Sequence, residues 1–193
     1  MHPSRLVGLG AIGVLALAGC GGASASAPST PSPTPDRAVQ VSATFGDGQG
    51  TAITYDPELV PVGSRGAVSA ETGDDGTTVT LAVRGLLPDR QYGAHAHTEP
   101  CGATGADAGP HFQNEVDPVQ PSVDPAYANP QNEIWLDLTT DASGAGSATA
   151  EVEWGFEEDR RAKSVIIHAM GTATGPGEAG KAGSRPACIT VDF

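Results

Sequence analysis

Residues 73–84 read GDDGTTVTLAVR, and this stretch decides the fold class. A turn of glycines and aspartates leads into a segment in which Val79, Leu81 and Val83 alternate with other side chains. Successive side chains of a β-strand point to opposite faces, so the segment predicts a strand with one face buried. The turn in front of it is typical of a β-hairpin.

The same alternation of apolar and polar residues recurs along the chain. Clear examples lie at 39–45, 134–138, 148–154 and 189–193, and weaker ones at 51–55, 65–72, 91–97 and 164–169. Two long stretches, 98–132 and 171–187, do not alternate, and long loops on a compact scaffold are uncommon unless they carry a function. We therefore predict an all-β domain of about eight or nine strands, folded as a sandwich or barrel.

The amino terminus predicts export. Arg5 precedes an apolar run over residues 6–18, which is too short to span a bilayer but typical of a signal peptide. The run ends in Leu17-Ala18-Gly19-Cys20, which resembles the bacterial lipobox, where cleavage before the cysteine accompanies its lipidation. The alternative is an ordinary secretory cleavage site that contains a cysteine.

Three segments follow from this interpretation. Residues 1–19 are a signal peptide, residues 20–37 are the lipidated Cys20 and a tether rich in proline, serine and glycine, and residues 38–193 are the folded domain. The expected location is the extracytoplasmic face of the cell membrane, where a lipid anchors the chain. Cys101 and Cys188 remain, and an exported compartment favours their oxidation to a disulfide.

The formal net charge of −13 argues against nucleic acid as a partner. An anionic substrate would need a local positive charge to approach so acidic a protein.

The histidines are the candidate functional residues. His95 and His97 stand two apart in a predicted strand, so their imidazoles share one face about 7 Å apart and can converge on one ion. His111 lies in the first long loop and His168 in a later strand. A set of imidazoles suits copper or zinc, and spacing alone leaves the metal undecided.

Short co-linear motifs over residues 39–193 resemble the copper/zinc superoxide dismutase superfamily. They are Gly85-Leu86-Leu87-Pro88, Tyr92-Gly93-Ala94-His95-Ala96-His97 with Cys101, Gly109-Pro110-His111-Phe112, Val165-Ile166-Ile167-His168-Ala169 and Gly183-Ser184-Arg185-Pro186-Ala187-Cys188. The resemblance implies an eight-stranded Greek-key β-sandwich or flattened barrel. It also implies the dismutation of superoxide to dioxygen and hydrogen peroxide.

Carried over residue by residue, the resemblance implies a set of site residues. Copper, one ion per chain, is expected on four histidines: His95, His97, His111 and His168. Cys101 and Cys188 match the family's disulfide, Arg185 matches the arginine that holds superoxide beside the metal, and His111 matches the proton carrier.

The chain also departs from the family. Between His111 and Trp135 it has no further histidine, so zinc is not expected, and the loop before Cys188 lacks the family's aspartate that links the two metal sites. In both losses the chain resembles the copper-only branch of the superfamily, in which a carboxylate orients the histidine at the position of His111. Glu133 is the candidate for that role, and a solvent-facing strand residue is the alternative.

Two further expectations concern side chains near the histidines. Trp135 is interpreted as a sheet-packing residue, with an electron relay as the alternative, and Met170 is expected in the core, with contact to the copper as the alternative. A non-catalytic copper-binding module of the envelope is the second functional hypothesis, because the steering loops are short and the charge is negative.

Overall fold

The structure is a computed structural model that describes residues 37–73 and 75–193. The predicted signal peptide, Cys20 and nearly all of the tether lie outside the described residues. The first strand begins at Arg37, one residue before the predicted start of the domain. Among the described residues, no helix is long and apolar enough to cross a membrane.

The described chain forms two antiparallel sheets and one short 3₁₀ helix at Gly105–Ala108. The strands are β1 (Arg37–Thr44), β2 (Ala52–Thr54), β3 (Arg65–Gly73), β4 (Gly76–Arg84), β5 (Gln91–His97), β6 (Leu138–Thr139), β7 (Gly146–Val152), β8 (Ser164–His168) and β9 (Ala187–Thr190). One sheet has the order β1-β3-β4-β7 and the other β2-β9-β8-β5-β6. The all-β sandwich prediction is confirmed. The described residues contain nine strands, within the eight or nine predicted from alternation and one more than the eight implied by the resemblance, and two of them, β2 and β6, have only three and two residues. The Greek-key connectivity stays a prediction.

The alternating segments bury the face that the sequence predicted. In the hairpin of β3 and β4, Val68 lies opposite Leu81 and Ala70 opposite Val79, and all four side chains are buried. The inward side chains of both sheets form one apolar core.

The predicted strand at 134–138 is irregular. Leu136 N–H donates to the Ala94 carbonyl at 2.7 Å, but Trp135 forms only an isolated bridge and the ladder resumes at β6. Its apolar side chains are nevertheless buried. The alternation therefore predicted the buried face correctly, but fewer residues pair in a β-ladder than it predicted.

Strand β5 supports the candidate site. It lies between β8 and β6, every residue from Tyr92 to His97 is buried, and Gly93 is the register partner of His168. The disulfide between Cys101 and Cys188 forms as predicted and ties the first long loop to β9. Closing a loop with a sequence separation of 87 residues stabilises the fold by about 4–5 kcal/mol in the chain-entropy model.

Candidate metal centre

The four predicted histidines converge. Their ligating nitrogens all lie within 4.8 Å of one another. The ring centroids of His95 and His111 are 4.1 Å apart, and those of His95 and His97, at 6.5 Å, are the most separated. Two rings come from β5, one from the end of β8 and one from the long loop, so the cluster forms only when the sheet is assembled.

Hydrogen bonds orient the rings from outside the cluster. His97 Nδ1–H donates to the Gly109 carbonyl at 3.0 Å. The other ring nitrogen, Nε2, therefore carries a free lone pair and lies 3.4 Å from His168 Nε2. His95 Nε2–H donates to Thr172 Oγ1 at 2.7 Å, and His95 Nδ1 is buried without a hydrogen-bond partner. A buried imidazole nitrogen without a partner is costly, and a bound cation would satisfy it.

The cluster favours neutral imidazoles. Burial, then the neighbouring His111, holds the pKa of His95 and of His97 well below the usual range. Burial, again followed by His111, lowers the pKa of His168 to about 3. Neutral imidazoles keep the lone pairs that a transition metal needs.

Glu133 lies behind His111. Its carboxylate is 1% exposed, and Oε2 accepts a hydrogen bond from His111 Nδ1 at 2.7 Å. Trp135 Nε1–H donates to the same oxygen at 2.7 Å, and Gln113 Nε2–H donates to Oε1 at 2.8 Å. The solvent-facing alternative for Glu133 is therefore wrong, because the loop that carries Gln113 covers this side of the strand.

The network continues into the loop. Gln113 Nε2 also donates to Ser122 Oγ at 3.0 Å, and Ser122 Oγ donates to Asp117 Oδ2 at 2.7 Å. Asp117 N–H donates to Gln113 Oε1 at 3.0 Å, so Gln113 links two buried carboxylates. Asp124, a further carboxylate of this loop, accepts from Ala126 N–H in a surface turn.

A second support, behind His95, was not predicted from the sequence. Thr172 Oγ1 accepts from His95 and donates to Asp137 Oδ1 at 2.6 Å, while Thr172 N–H donates to Asp137 Oδ2 at 2.7 Å. A histidine that ligates a metal usually donates its other ring N–H to a partner such as a carboxylate, and here the Thr172 hydroxyl links the ring of His95 to one. The second long loop thus contacts a carboxylate from another segment.

Arg185 adjoins the cluster. Its Nη1 donates to the carbonyls of Gly105 at 3.0 Å and of Gly109 at 2.7 Å, and the Gly109 carbonyl also accepts from His97. One carbonyl therefore fixes the arginine and a candidate ligand relative to each other. Burial lowers the pKa of Arg185 from its ordinary value.

A cavity of about 480 Å³ opens above the cluster and is lined by His111, His168, Lys181, Arg185 and Met170. The core position predicted for Met170 is wrong. The residue is 58% exposed, because β8 ends at His168 and the chain then turns outward.

Comparisons with known proteins bear on the fold. No protein-family model and no curated protein matches the chain. The structure is similar to that of a Cu/Zn superoxide dismutase from Brucella abortus, with a TM-score of 0.55 and 19% sequence identity over 79% of this chain and 99% of that chain. At this identity the similarity establishes the fold, and the site must be judged on its own geometry.

Proposed function

We propose that this protein is a copper-dependent superoxide dismutase of the cell envelope that works without a zinc site of the family type. The reaction converts two superoxide ions and two protons to dioxygen and hydrogen peroxide. One observation carries the proposal: four converging imidazoles lie beside a fixed guanidinium at the floor of an open cavity.

The donor set fits copper. Four nitrogen donors suit Cu(II), and the unpartnered Nδ1 of His95 supplies one of them. His95, His97, His111 and His168 would hold one ion per chain. When bound, copper supplies a one-electron couple that accepts an electron from one superoxide and gives it to another.

Arg185 binds the substrate. Its Nη1 is held by two carbonyls, so the guanidinium is preorganised at the floor of the cavity. A positive charge at this point opposes the net charge of −13 and attracts superoxide locally.

His111 moves the proton, and Glu133 keeps its ring in place. The carboxylate accepts from His111 Nδ1 at 2.7 Å, which leaves Nε2 free to face the cluster. His111 has 16% of its side chain exposed, so it has access to solvent protons. Because Glu133 is itself held by Gln113 and Trp135, the ring has a rigid support that does not depend on zinc.

The envelope location rests on the predicted signal peptide and on lipidation of Cys20. Export would supply the oxidising compartment in which the disulfide of Cys101 and Cys188 persists.

Arg185→Gln in the copper-loaded protein tests the proposal. We expect kcat/KM for superoxide to fall about tenfold or more at unchanged copper content, with Arg185→Lys intermediate. Arg37→Gln is the control, since it removes the same charge from an exposed ion pair with Asp192. Copper-loaded wild-type protein without dismutation would favour the copper-binding module, and a dismutation rate insensitive to Arg185 would contradict the role of the arginine.

A further inference from the structure

Two arginines lie directly opposite each other on the outer face of the four-stranded sheet. Arg65 begins β3, Arg84 ends β4, and the two are register partners. Both are exposed. Side chains opposite each other in an antiparallel pair have Cβ atoms about 4.5–5.5 Å apart, and like charges in this position destabilise the sheet.

No ion pair neutralises either arginine. Within the described part of the chain, neither guanidinium belongs to an ion pair. Asp141 is close enough for Arg84 to help lower its pKa, but the first cause is the hydrogen bond from Ser143, and backbone N–H groups of Ala145 and Ser143 follow. In a chain with a net charge of −13, two adjacent cations without an ion pair call for an explanation.

The surroundings of the pair form a basin. A cavity of about 390 Å³ is lined by both arginines together with Ser42 and Thr44 of β1. Its floor is made by Ala67 and Ala82, which are register partners and too small to fill the space beside the long arginines. Thr44 is the register partner of Arg65 and also lines the cavity.

The opposite end of the same sheet face is acidic. Glu71 and Glu151 both lie across from Thr78, on the two strands that flank β4, and both are exposed. An anion on this face is therefore repelled from one end and attracted to the arginine end.

We propose that this basin, which we name the arginine basin, binds a phosphate group between Arg65 and Arg84. Two guanidinium forks offer more N–H donors than the two oxygens of a carboxylate can accept, whereas a tetrahedral phosphate has several acceptor oxygens. The group can belong to free phosphate or to a phosphodiester such as a lipid headgroup. The site is on the other sheet from the metal centre and is independent of the proposed function.

Thermal unfolding and ³¹P NMR of the full chain test the basin with inorganic phosphate and with glycerophosphoglycerol, a soluble phosphodiester. We expect Tm to rise with at least one probe, and the apparent affinity to fall about tenfold or more in Arg65→Gln and Arg84→Gln. Arg37→Gln, which removes an equal charge from the edge of the same sheet, should respond like wild type. Sodium chloride of equal ionic strength should not reproduce the effect.

The outcomes separate the sources of the ligand. A response to inorganic phosphate alone identifies a free-phosphate site, and a response to the diester identifies an esterified phosphate. In buffer free of phosphate and low in salt, Arg65→Gln and Arg84→Gln should be at least as stable as wild type, because each removes a like-charge repulsion. A phosphate response equal in wild type and both variants, as expected if only Arg185 binds the anion, would overturn the proposal.

Discussion

Glu133→Ala offers a quantitative test of the support behind His111. The carboxylate accepts three hydrogen bonds, from His111, Gln113 and Trp135. Removing it leaves three donors without an acceptor at about 1–3 kcal/mol each, or about 3–9 kcal/mol together. His111 and Trp135 are not fully buried and can recover some hydrogen bonding from water, so we expect a loss of about 3–6 kcal/mol.

Glu133→Gln separates charge from shape. The amide keeps one oxygen acceptor, but its NH₂ group must face one of the donors, so one hydrogen bond is lost and the loss of stability should be about 1–3 kcal/mol. Urea unfolding of the metal-free variants measures both values. Glu151→Ala, an exposed change on the outer sheet face, is the control and should stay within about 0.5 kcal/mol of wild type.

The same variants test the role in positioning His111. With copper bound, Glu133→Ala should lower dismutation per copper about 10–100-fold and change the pH profile, which a purely structural role would not alter. A loss of stability below about 1 kcal/mol, together with unchanged activity per copper, would refute the proposed support.

Three further predictions concern the surroundings of the cluster. Thr172→Val leaves the Nε2–H of His95 without its acceptor, so copper affinity measured by chelator competition should weaken about 10–100-fold; an unchanged affinity would contradict this support. The metal-free protein should lose stability as pH falls below about 6.5 towards the pKa of His168 at about 3, because the unfolded chain binds protons that the buried histidines exclude. The free energy of unfolding should fall by up to about 1.4 kcal/mol per pH unit for each buried histidine, or about 4 kcal/mol per pH unit for three. Urea unfolding at pH 7, 6 and 5 measures this slope. A free energy that does not change with pH would show that these rings are protonated in the folded protein. Gln113→Leu removes a hydrogen-bond donor to Glu133 and should lower the free energy of unfolding, measured in urea, by about 1–3 kcal/mol. A change of less than about 0.5 kcal/mol, as expected for a surface variant, would contradict the network.

The sequence predicted the features that repeat locally. Alternation in β3 and β4 identified the buried face, since each strand carries its own period. The spacing of His95 and His97 placed two imidazoles on one face for the same reason. The convergence of His111 and His168 depended on the resemblance, because their chain positions alone do not show which elements meet.

Other features arise from contacts that no local pattern records. Alternation predicts that Glu133 points away from the core, but it does not reveal that a loop covers that side and excludes water. Thr172 and Asp137 are separated by 35 residues and meet only because the second long loop folds over the irregular strand segment. Met170 was misplaced because the exact end of β8 is set by pairing with β5 and β9.

Metal content and superoxide dismutation, measured on one copper-loaded sample with His168→Ala as the blank, test the central claim most directly. We predict about one copper per chain, no stoichiometric zinc, and dismutation that depends on His168 and approaches a kcat/KM of about 10⁸–10⁹ M⁻¹s⁻¹. Stoichiometric copper without dismutation above the blank would contradict the enzyme, and zinc bound alongside copper would contradict a centre that works without it.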